Sequence, residues 1–221
     1  MPKFEIDRSE IKFIKELIDC GYDKKLRSKL EDLHYADIAE IIFELSTDQA
    51  TYLVKLLDSD KTADALAEVD EDIREGILEN LSAREIADEI QELDTDDAAD
   101  LIGELTEERQ ERVMSQISDS GHAEDIRELL SYDENKAGGM MAKELVKVEE
   151  ELSVLKCLNA MRAQAEEVTR VHSIYVVDDK NVLKGRLSLK DLITANSRAT
   201  VKDIFIPKVD YVTVDQPGEE V

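Results

Sequence analysis

Apolar residues recur at every twelfth position from residue 33 to residue 129. The positions are Leu33, Leu45, Leu57, Val69, Leu81, Leu93, Leu105, Ile117 and Leu129. Each unit has room for a cap, about two and a half helical turns and a closing apolar residue. Helices this short are unstable alone in water, so each must bury its apolar stripe against neighbours. The spacing therefore predicts a solenoid of short helical repeats.

The predicted helix starts follow from the residue after each repeated apolar position. Most of these residues are of types that cap helix N-termini: Ser46, Asp58, Asp70, Ser82, Asp94, Thr106 and Ser118. His34 and Leu130 depart from the rule. The stretches "STDQ" (46–49) and "SARE" (82–85) also fit the capping box, in which two side chains satisfy each other's backbone N–H groups.

Acidic residues are concentrated in the repeat. The chain has 221 residues and a net charge of −25, and residues 34–130 hold 29 acids but only seven Lys and Arg. Such a charge repels nucleic acid, so we expect no nucleic-acid partner. The sequence has two distant cysteines, no signal peptide and no apolar run of about 18 residues. These features predict a soluble chain in a reducing compartment.

The stretch "DTDDAADLIGEL" (94–105) is the most acidic of the predicted helices. Its apolar face consists of Ala98, Leu101, Ile102 and Leu105. Its opposite face carries Asp96, Asp97, Asp100 and Glu104, with no Lys or Arg in the helix. Acids four residues apart repel each other by roughly 0.2–0.5 kcal/mol per pair. Two interpretations remain open from these residues alone: a solvated face or a cation-binding face.

The residue types narrow the choice of cation. His34, His122 and His172 are scattered, which argues against zinc or copper. An EF-hand calcium loop is excluded because Ala98 and Ala99 stand where an oxygen ligand and a glycine are required. Carboxylates that bind through retained waters suit Mg²⁺.

A different pattern begins near residue 131. The stretch "SYDENKAGGMMA" (131–142) breaks the twelve-residue period. We interpret it as a linker. The order β-α-β-β-α is then predicted from "LVKV" (145–148), "SVLKCLNAMRAQA" (153–165), "RVHSIYVV" (170–177), "VLKGRLSL" (182–189) and the short helix "LKDLITA". In the first helix Val154, Leu155, Leu158 and Met161 are expected to face inward.

The stretch "IYVVDDKNVLKGRLSLKDLI" (174–193) resembles the signature of the cystathionine-β-synthase (CBS) domain. Gly185, Ser188, Asp191 and Leu192 occupy the positions of its Gly-x-x-Ser-x-x-Asp-Leu motif. Residues 201–221, which include the predicted strand "YVTV", resemble the beginning of a second CBS domain. We expect the chain to end inside that second domain.

The combination of parts resembles the cytosolic region of the MgtE family of bacterial magnesium channels. The family's "AG-x-x-M" element matches Ala137, Gly138 and Met141. The resemblance implies a mainly α multidomain chain: an acidic helical-repeat domain (1–131), a linker (132–142), a first CBS domain (143–200) and the truncated start of a second (201–221). It implies a Mg²⁺-sensing regulatory region, and no enzyme. Location at the cytoplasmic face of the bacterial inner membrane follows from the same resemblance.

The resemblance also implies site residues and partners. Mg²⁺ would bridge acids of the helical domain and the CBS region, closing the pore when internal Mg²⁺ rises. The family's acidic stretch matches Asp96, Asp97 and Asp100. The CBS-side candidates are Asp203, Asp215 and Glu219; for Glu220 a solvated acid is the favoured interpretation. The implied partners are a second copy, bound through the CBS domains, and the transmembrane pore of the same full-length chain.

An alternative function is an adenine-nucleotide-sensing CBS module, with the acidic solenoid as a spacer or a protein-interaction scaffold. Many CBS domains bind ATP or AMP where Ser188 and Asp191 lie in this chain. The simpler interpretation is a local helix cap, with Ser188 as N-cap and Asp191 three residues on. We expect no nucleophile at Ser188, because no His/Asp arrangement supports one.

Overall fold

A computed structural model describes residues 7–165, 168 and 171–221 of the chain. The chain divides into two units, with the boundary between Leu130 and Ser131. The first is helical and the second combines helices with a small sheet. The predicted fold class, a helical-repeat domain followed by an α+β domain, is confirmed.

The first unit is built from short helices that follow the twelve-residue spacing from the third helix onward. They are α1 (Arg8–Asp19), α2 (Asp23–Leu30), α3 (Tyr35–Glu44), α4 (Thr47–Leu56), α5 (Ser59–Glu68), α6 (Glu71–Glu79), α7 (Ala83–Ile90), α8 (Thr95–Gly103), α9 (Glu107–Met114) and α10 (Ser120–Leu129).

Helices of the repeat pack on the helix two places along the chain. α3 packs on α5, α5 on α7 and α7 on α9, while α4 packs on α6 and α8 on α10. Side-chain contacts in the repeat join residues about thirty apart, either across these pairs or to the third helix along. The ammonium of Lys55 on α4, for example, lies 3.2 Å from the Glu85 carboxylate on α7. The packing unit is thus a pair of helices rather than a single twelve-residue repeat.

The repeated apolar positions form much of the core of this unit. Leu57, Val69, Leu81, Leu93, Leu105, Ile117 and Leu129 are buried. Leu33 and Leu45, near the start of the repeat, are only partly buried. Full burial of such a side chain stabilises the fold by about 1.5–3 kcal/mol. The spacing read from the sequence therefore identifies the residues that hold the helices together.

Both predicted capping boxes are present. The Ser46 hydroxyl accepts from the Gln49 amide at 3.3 Å, and the Ser82 hydroxyl accepts from the Glu85 amide at 3.2 Å. His34, which the rule had excluded, also caps a helix: its Nδ1 accepts from the Ala36 amide at 3.4 Å.

The predicted cap at Ser118 was displaced by one residue. Asp119 is the N-cap of α10, and its carboxylate accepts from the amides of Gly121 and His122. A carboxylate at this place takes two backbone donors at once, whereas the Ser118 hydroxyl binds the Gln91 side chain instead.

The second unit has the predicted order β-α-β-β-α. Its elements are β1 (Val146–Glu149), α11 (Val154–Gln164), β2 (Ile174–Val177), β3 (Leu183–Leu187) and α12 (Leu189–Thr194), followed by two 3₁₀ helices, Val201–Asp203 and Gly218–Glu220. β2 is central, parallel to β1 and antiparallel to β3. The start of the predicted strand at 170 lies outside the described residues, and the strand itself begins at Ile174.

The turn between β2 and β3 is organised by Asp178. Its carboxylate accepts from the amides of Lys180 and Val182 at 2.9 Å and pairs with Lys184 at 2.9 Å. The Lys184 ammonium, followed by the backbone amides, lowers the pKa of the Asp178 carboxyl group. Asn181 completes the turn in the left-handed conformation, with φ of 62°.

The core of the second unit lies between the sheet and α11. Val154 and Met161 are buried as predicted, and Leu158 packs against the core. The prediction for Leu155 was wrong, since that side chain is 59% exposed. Cys157 is fully buried instead, because it lies three residues after Val154 and four before Met161, on the same face of the helix.

The segment 131–142 lies within the second unit and is hydrogen-bonded to residues near the end of the chain. The amide of Gly138 donates to the Val214 carbonyl at 3.0 Å, and the amide of Gly218 donates to the Asn135 carbonyl at 2.7 Å. The predicted strand "YVTV" (211–214) is not a strand. Within the described residues its backbone lacks the continuous neighbouring strand that a ladder requires.

No helix among the described residues is long and apolar enough to cross a membrane.

Candidate functional site: the acidic face of α8

The two faces of α8 are those that the sequence predicted. Ala98, Leu101 and Ile102 are almost completely buried, while Asp97 and Asp100 are exposed. Asp94 occupies the N-cap position. Asp96 and Asp97 lie in the first turn, where the helix dipole favours negative charge. The apolar stripe thus fixes which way the acids point, away from the core of the first unit.

The carboxylates around Asp97 act on one another. Desolvation by the surrounding protein raises the pKa of the Asp97 carboxyl group, and the charges of Asp96, Asp94, Asp100 and Asp64 raise it further. A raised pKa means that the ionised form is disfavoured in this field. A bound cation would relieve the same repulsion. The start of α8 is therefore a place where a cation is electrostatically favoured.

Asp64, on α5, belongs to this field although the sequence analysis did not name it. Desolvation raises the pKa of its carboxyl group, followed by the charge of Asp94, while His34 opposes the shift. Asp64 and Asp94 are thirty residues apart, the same separation as Lys55 from Glu85 and Arg74 from Glu104. That spacing is the signal from which Asp64 could have been found.

Glu104, which the sequence placed in a row of acids with Asp96 and Asp100, is paired with a cation. Its carboxylate accepts two bonds from Arg74 Nε, at 3.0 and 2.9 Å, and a further one from Nη2. Arg74 lies on α6 and was missed because only charges within the same helix were considered. The acids of this field on and before α8 are thus Asp94, Asp96, Asp97 and Asp100, without Glu104.

The described residues of either unit do not form a complete set of ligands for a metal ion. Among the described residues, no three His, Cys, Asp or Glu side chains are placed to hold one ion together. The acids of α8 can therefore engage a cation through its water shell, as Mg²⁺ prefers, or share it with ligands from elsewhere.

The predicted CBS-side acids lie on three different segments of the second unit. The Asp203 carboxylate accepts from the amide and the hydroxyl of Thr200, both at 2.8 Å. These hydrogen bonds, the backbone one first, lower the pKa of the Asp203 carboxyl group. Asp215 lies in an exposed turn, and Glu219 is exposed on the second 3₁₀ helix.

Ser188 and Asp191 are engaged with each other at the start of α12. The Ser188 hydroxyl donates to Asp191 Oδ2 at 2.6 Å and accepts from the Asp191 amide at 3.0 Å. This geometry is that of a helix cap. A nucleotide at these two residues would compete with those bonds.

The fold and the acidic face define a class of protein, an acidic helical-repeat domain joined to a CBS domain. Residues 33–135 match the family described as MgtE intracellular N domain, and residues 137–198 match the CBS domain family.

Curated relatives point the same way. The chain is 47% identical over 90 residues to the magnesium transporter MgtE of Thermus thermophilus, a match that covers 41% of this chain and 20% of that protein. It is 32% identical over 92 residues to the magnesium transporter MgtE of Enterococcus faecalis, with 42% and 20% covered. The match spans about a fifth of the length of these relatives.

Solved structures extend the likeness to nearly the whole chain. The structure of the cytosolic domain of the Mg²⁺ channel MgtE in complex with ATP is 32% identical, with a TM-score of 0.85 over 94% of this chain and 84% of that one. The soluble part of a magnesium transporter gives 26% identity and a TM-score of 0.79 over 95% and 82%. The chain therefore belongs to the MgtE family.

Proposed function

We propose that this chain is the Mg²⁺-sensing regulatory region of a magnesium channel or transporter and lies on the cytoplasmic face of the bacterial inner membrane. The observation that carries the proposal is the field of mutually repelling carboxylates around Asp97, on a chain that aligns over most of its length with an MgtE cytosolic domain. The choice of Mg²⁺ rests on the names of the relatives, and the proposed binding place rests on the acids around Asp97.

The proposed mechanism is electrostatic. When Mg²⁺ is scarce, the acids of α8 repel those of the second unit, with Asp203, Asp215 and Glu219 as the candidates. Two like charges about 4 Å apart cost about 1 kcal/mol in water and several times more near a protein surface. When Mg²⁺ rises, ions bridge the two acidic sets through their waters. Only this bridged state offers ligands from both sides, so Mg²⁺ favours it.

In a full-length protein, this closure would act on a transmembrane pore and reduce further Mg²⁺ uptake. A second copy of the chain is part of the proposal. It would associate through the CBS units, where Leu155 on α11 and Ile193 on α12 are 59% and 63% exposed. Contact with a second copy would remove these exposed apolar side chains from water.

Small-angle scattering tests the sensing proposal. Millimolar Mg²⁺ is expected to reduce the radius of gyration, whereas K⁺ at equal ionic strength is expected to do so weakly, because it screens charges without bridging them. The variant with Asp96→Asn and Asp97→Asn is expected to need about tenfold more Mg²⁺, which corresponds to about 1.4 kcal/mol.

The matched control carries Glu107→Gln and Glu111→Gln, two exposed acids of α9 whose loss changes the net charge equally. It is expected to respond as the unaltered chain does. An unaltered chain that does not contract, or an Asp variant that responds like the control, would show that these aspartates are only a solvated face. The same data report mass, and a monomer at every concentration would contradict the dimer.

A second candidate function is adenine-nucleotide sensing, favoured by the ATP complex of the 32%-identical structure. If Asp191 contacts the nucleotide, Asp191→Ala is expected to remove the heat of ATP binding in calorimetry and to leave the Mg²⁺ response unchanged. Asp179→Ala, at an exposed position of the β2–β3 turn, is the matched control. Calorimetry that detects no ATP binding to the unaltered chain would eliminate this candidate.

A further inference from the structure

Among the described residues of the first unit, one side chain with a carboxyl group is classed as buried. Glu89, on α7, is 6% exposed. Its Oε2 accepts a hydrogen bond from the Thr62 hydroxyl at 2.7 Å, and Thr62, on α5, is fully buried. α5 and α7 pack directly on each other. The pair therefore lies inside a helix–helix contact that the repeat depends on.

The cations on the helices packed against α7 have partners other than Glu89. On α5, Lys61 donates to the Glu31 carbonyl, and on α7, Arg84 pairs with Asp88. On α9, Arg109 donates to the Leu78 and Leu81 carbonyls, and Arg112 pairs with Glu108.

Two further titratable groups reach α7 from other helices. Lys55 of α4 pairs with Glu85 at 3.2 Å, and Nε2 of His122 on α10 lies 3.2 Å from the Ile90 carbonyl oxygen. The charges that act on Glu89 are those of Asp88 and Glu92, both negative.

The Thr62 hydroxyl can serve either protonation state of Glu89. It donates to Glu89 Oε2 at 2.7 Å when the carboxyl group is ionised. When the carboxyl group is neutral, the hydroxyl can accept its proton and donate to the Asp58 carbonyl, 3.4 Å away. The contact with a charged carboxylate is the stronger of the two, so it is burial that favours the neutral form and Thr62 that opposes it.

We propose that the Glu89–Thr62 pair is a proton-operated switch between α5 and α7: the neutral carboxyl group packs the helices together, and its ionisation weakens their contact. The switch does not depend on a metal ion or on the proposed function. It would make the stability of the helical unit depend on pH.

The titration range follows from the surroundings. Burial raises the pKa of the Glu89 carboxyl group to about 7, from an ordinary value of 4.5. The Thr62 hydrogen bond opposes this shift, and the charges of Asp88 and Glu92 add to it. Between these two values the folded chain keeps a proton that the unfolded chain has lost. Raising the pH through this range therefore favours unfolding, and the loss is complete above the folded-state pKa.

Urea unfolding at pH 5 to 8 tests the switch by comparing the unaltered chain with Glu89→Gln. The folding equilibrium constant of the unaltered chain, divided by that of Glu89→Gln, is expected to fall on the order of a hundredfold across this range. Each unit of pH contributes up to a tenfold change. Glu79→Gln, at an exposed position of α6, is the control and is expected to follow the unaltered chain at every pH. Parallel curves for Glu89→Gln and the unaltered chain would overturn the proposal.

The variant Thr62→Val and an NMR titration of Glu89 test the switch without relying on the folding of Glu89→Gln. Thr62→Val removes the bond that favours ionised Glu89, so its loss of stability is expected to extend to higher pH. In carbon NMR the Glu89 carboxyl resonance is expected to titrate with a midpoint near 7. A midpoint near the ordinary value, or an unshifted range in Thr62→Val, would overturn the assignment.

Discussion

Replacing Arg74 with methionine is expected to lower the free energy of unfolding of the first unit by about 3–5 kcal/mol. The Arg74 side chain is 13% exposed and its partner Glu104 is 15% exposed. Nη1 of Arg74 also donates to the carbonyls of Leu66, Ala67 and Val69, at 3.1, 3.0 and 3.0 Å. The substitution would leave a nearly buried carboxylate and the end of α5 without their donor.

Urea unfolding followed by circular dichroism measures this loss, and Arg112→Met is the matched control. Arg112 also pairs with a glutamate, Glu108, but both side chains are at least 66% exposed, so a change below about 1 kcal/mol is expected. Adding Glu104→Gln to Arg74→Met removes the orphaned charge and is expected to restore part of the stability. An Arg74 variant within about 1 kcal/mol of the unaltered chain would refute the structural role.

Gly185→Ala is expected to destabilise the second unit by about 3 kcal/mol, at the upper end of ordinary overpacking costs. A Cβ added at Gly185, on β3, would lie 2.1 Å from the Ile206 carbonyl oxygen and 2.6 Å from the Phe205 ring. The neighbouring Arg186 is held to Ile206 by two backbone hydrogen bonds, of 3.0 and 2.8 Å. The backbone cannot yield without breaking this bridge.

The control is Gly103→Ala, where an added Cβ meets no atom within 4 Å. Gly103 is the last residue of α8, and an alanine there is expected to be neutral or to stabilise by up to about 1 kcal/mol. Thermal unfolding of both variants makes the comparison. If Gly185→Ala unfolds at the same temperature as the unaltered chain, the close contact at Ile206 does not exist in solution.

Periodicity was sufficient to predict the elements, because each one must bury a stripe. The Leu57-to-Leu129 positions are buried, and the order of strands and helices in the second unit is as expected. Periodicity was insufficient where two neighbouring residues could both take the same buried position. Leu155 is more apolar than Cys157, yet the face of α11 that packs against the sheet carries Cys157 and leaves Leu155 exposed.

Tertiary pairing explains what the sequence could not reveal about the candidate site. The row of acids on α8 was visible, but Glu104 is neutralised by an arginine on α6, thirty residues earlier. Asp64 joins the field from α5 for the same reason. Both depend on which helices lie beside α8: the partner of Glu104 comes from α6, two places earlier, and Asp64 acts from α5, three places earlier. A twelve-residue spacing alone does not specify these neighbours. The assignment of Mg²⁺ to Asp96, Asp97 and Asp100 rests on family resemblance and stays a prediction.

The bonds between residues 135–138 and 214–218 also bear on how the chain is made. In the repeat, side-chain contacts span about thirty residues, so each helix pair can close soon after it leaves the ribosome. The amide of Gly218 and the carbonyl of Asn135 are about eighty residues apart, and such a closure costs more entropy. Synthesis must pass residue 218 before that bond can form. The segment after α10 is thus translated about eighty residues before the residues that hold it in place, while the helical unit ahead of it can already be folded.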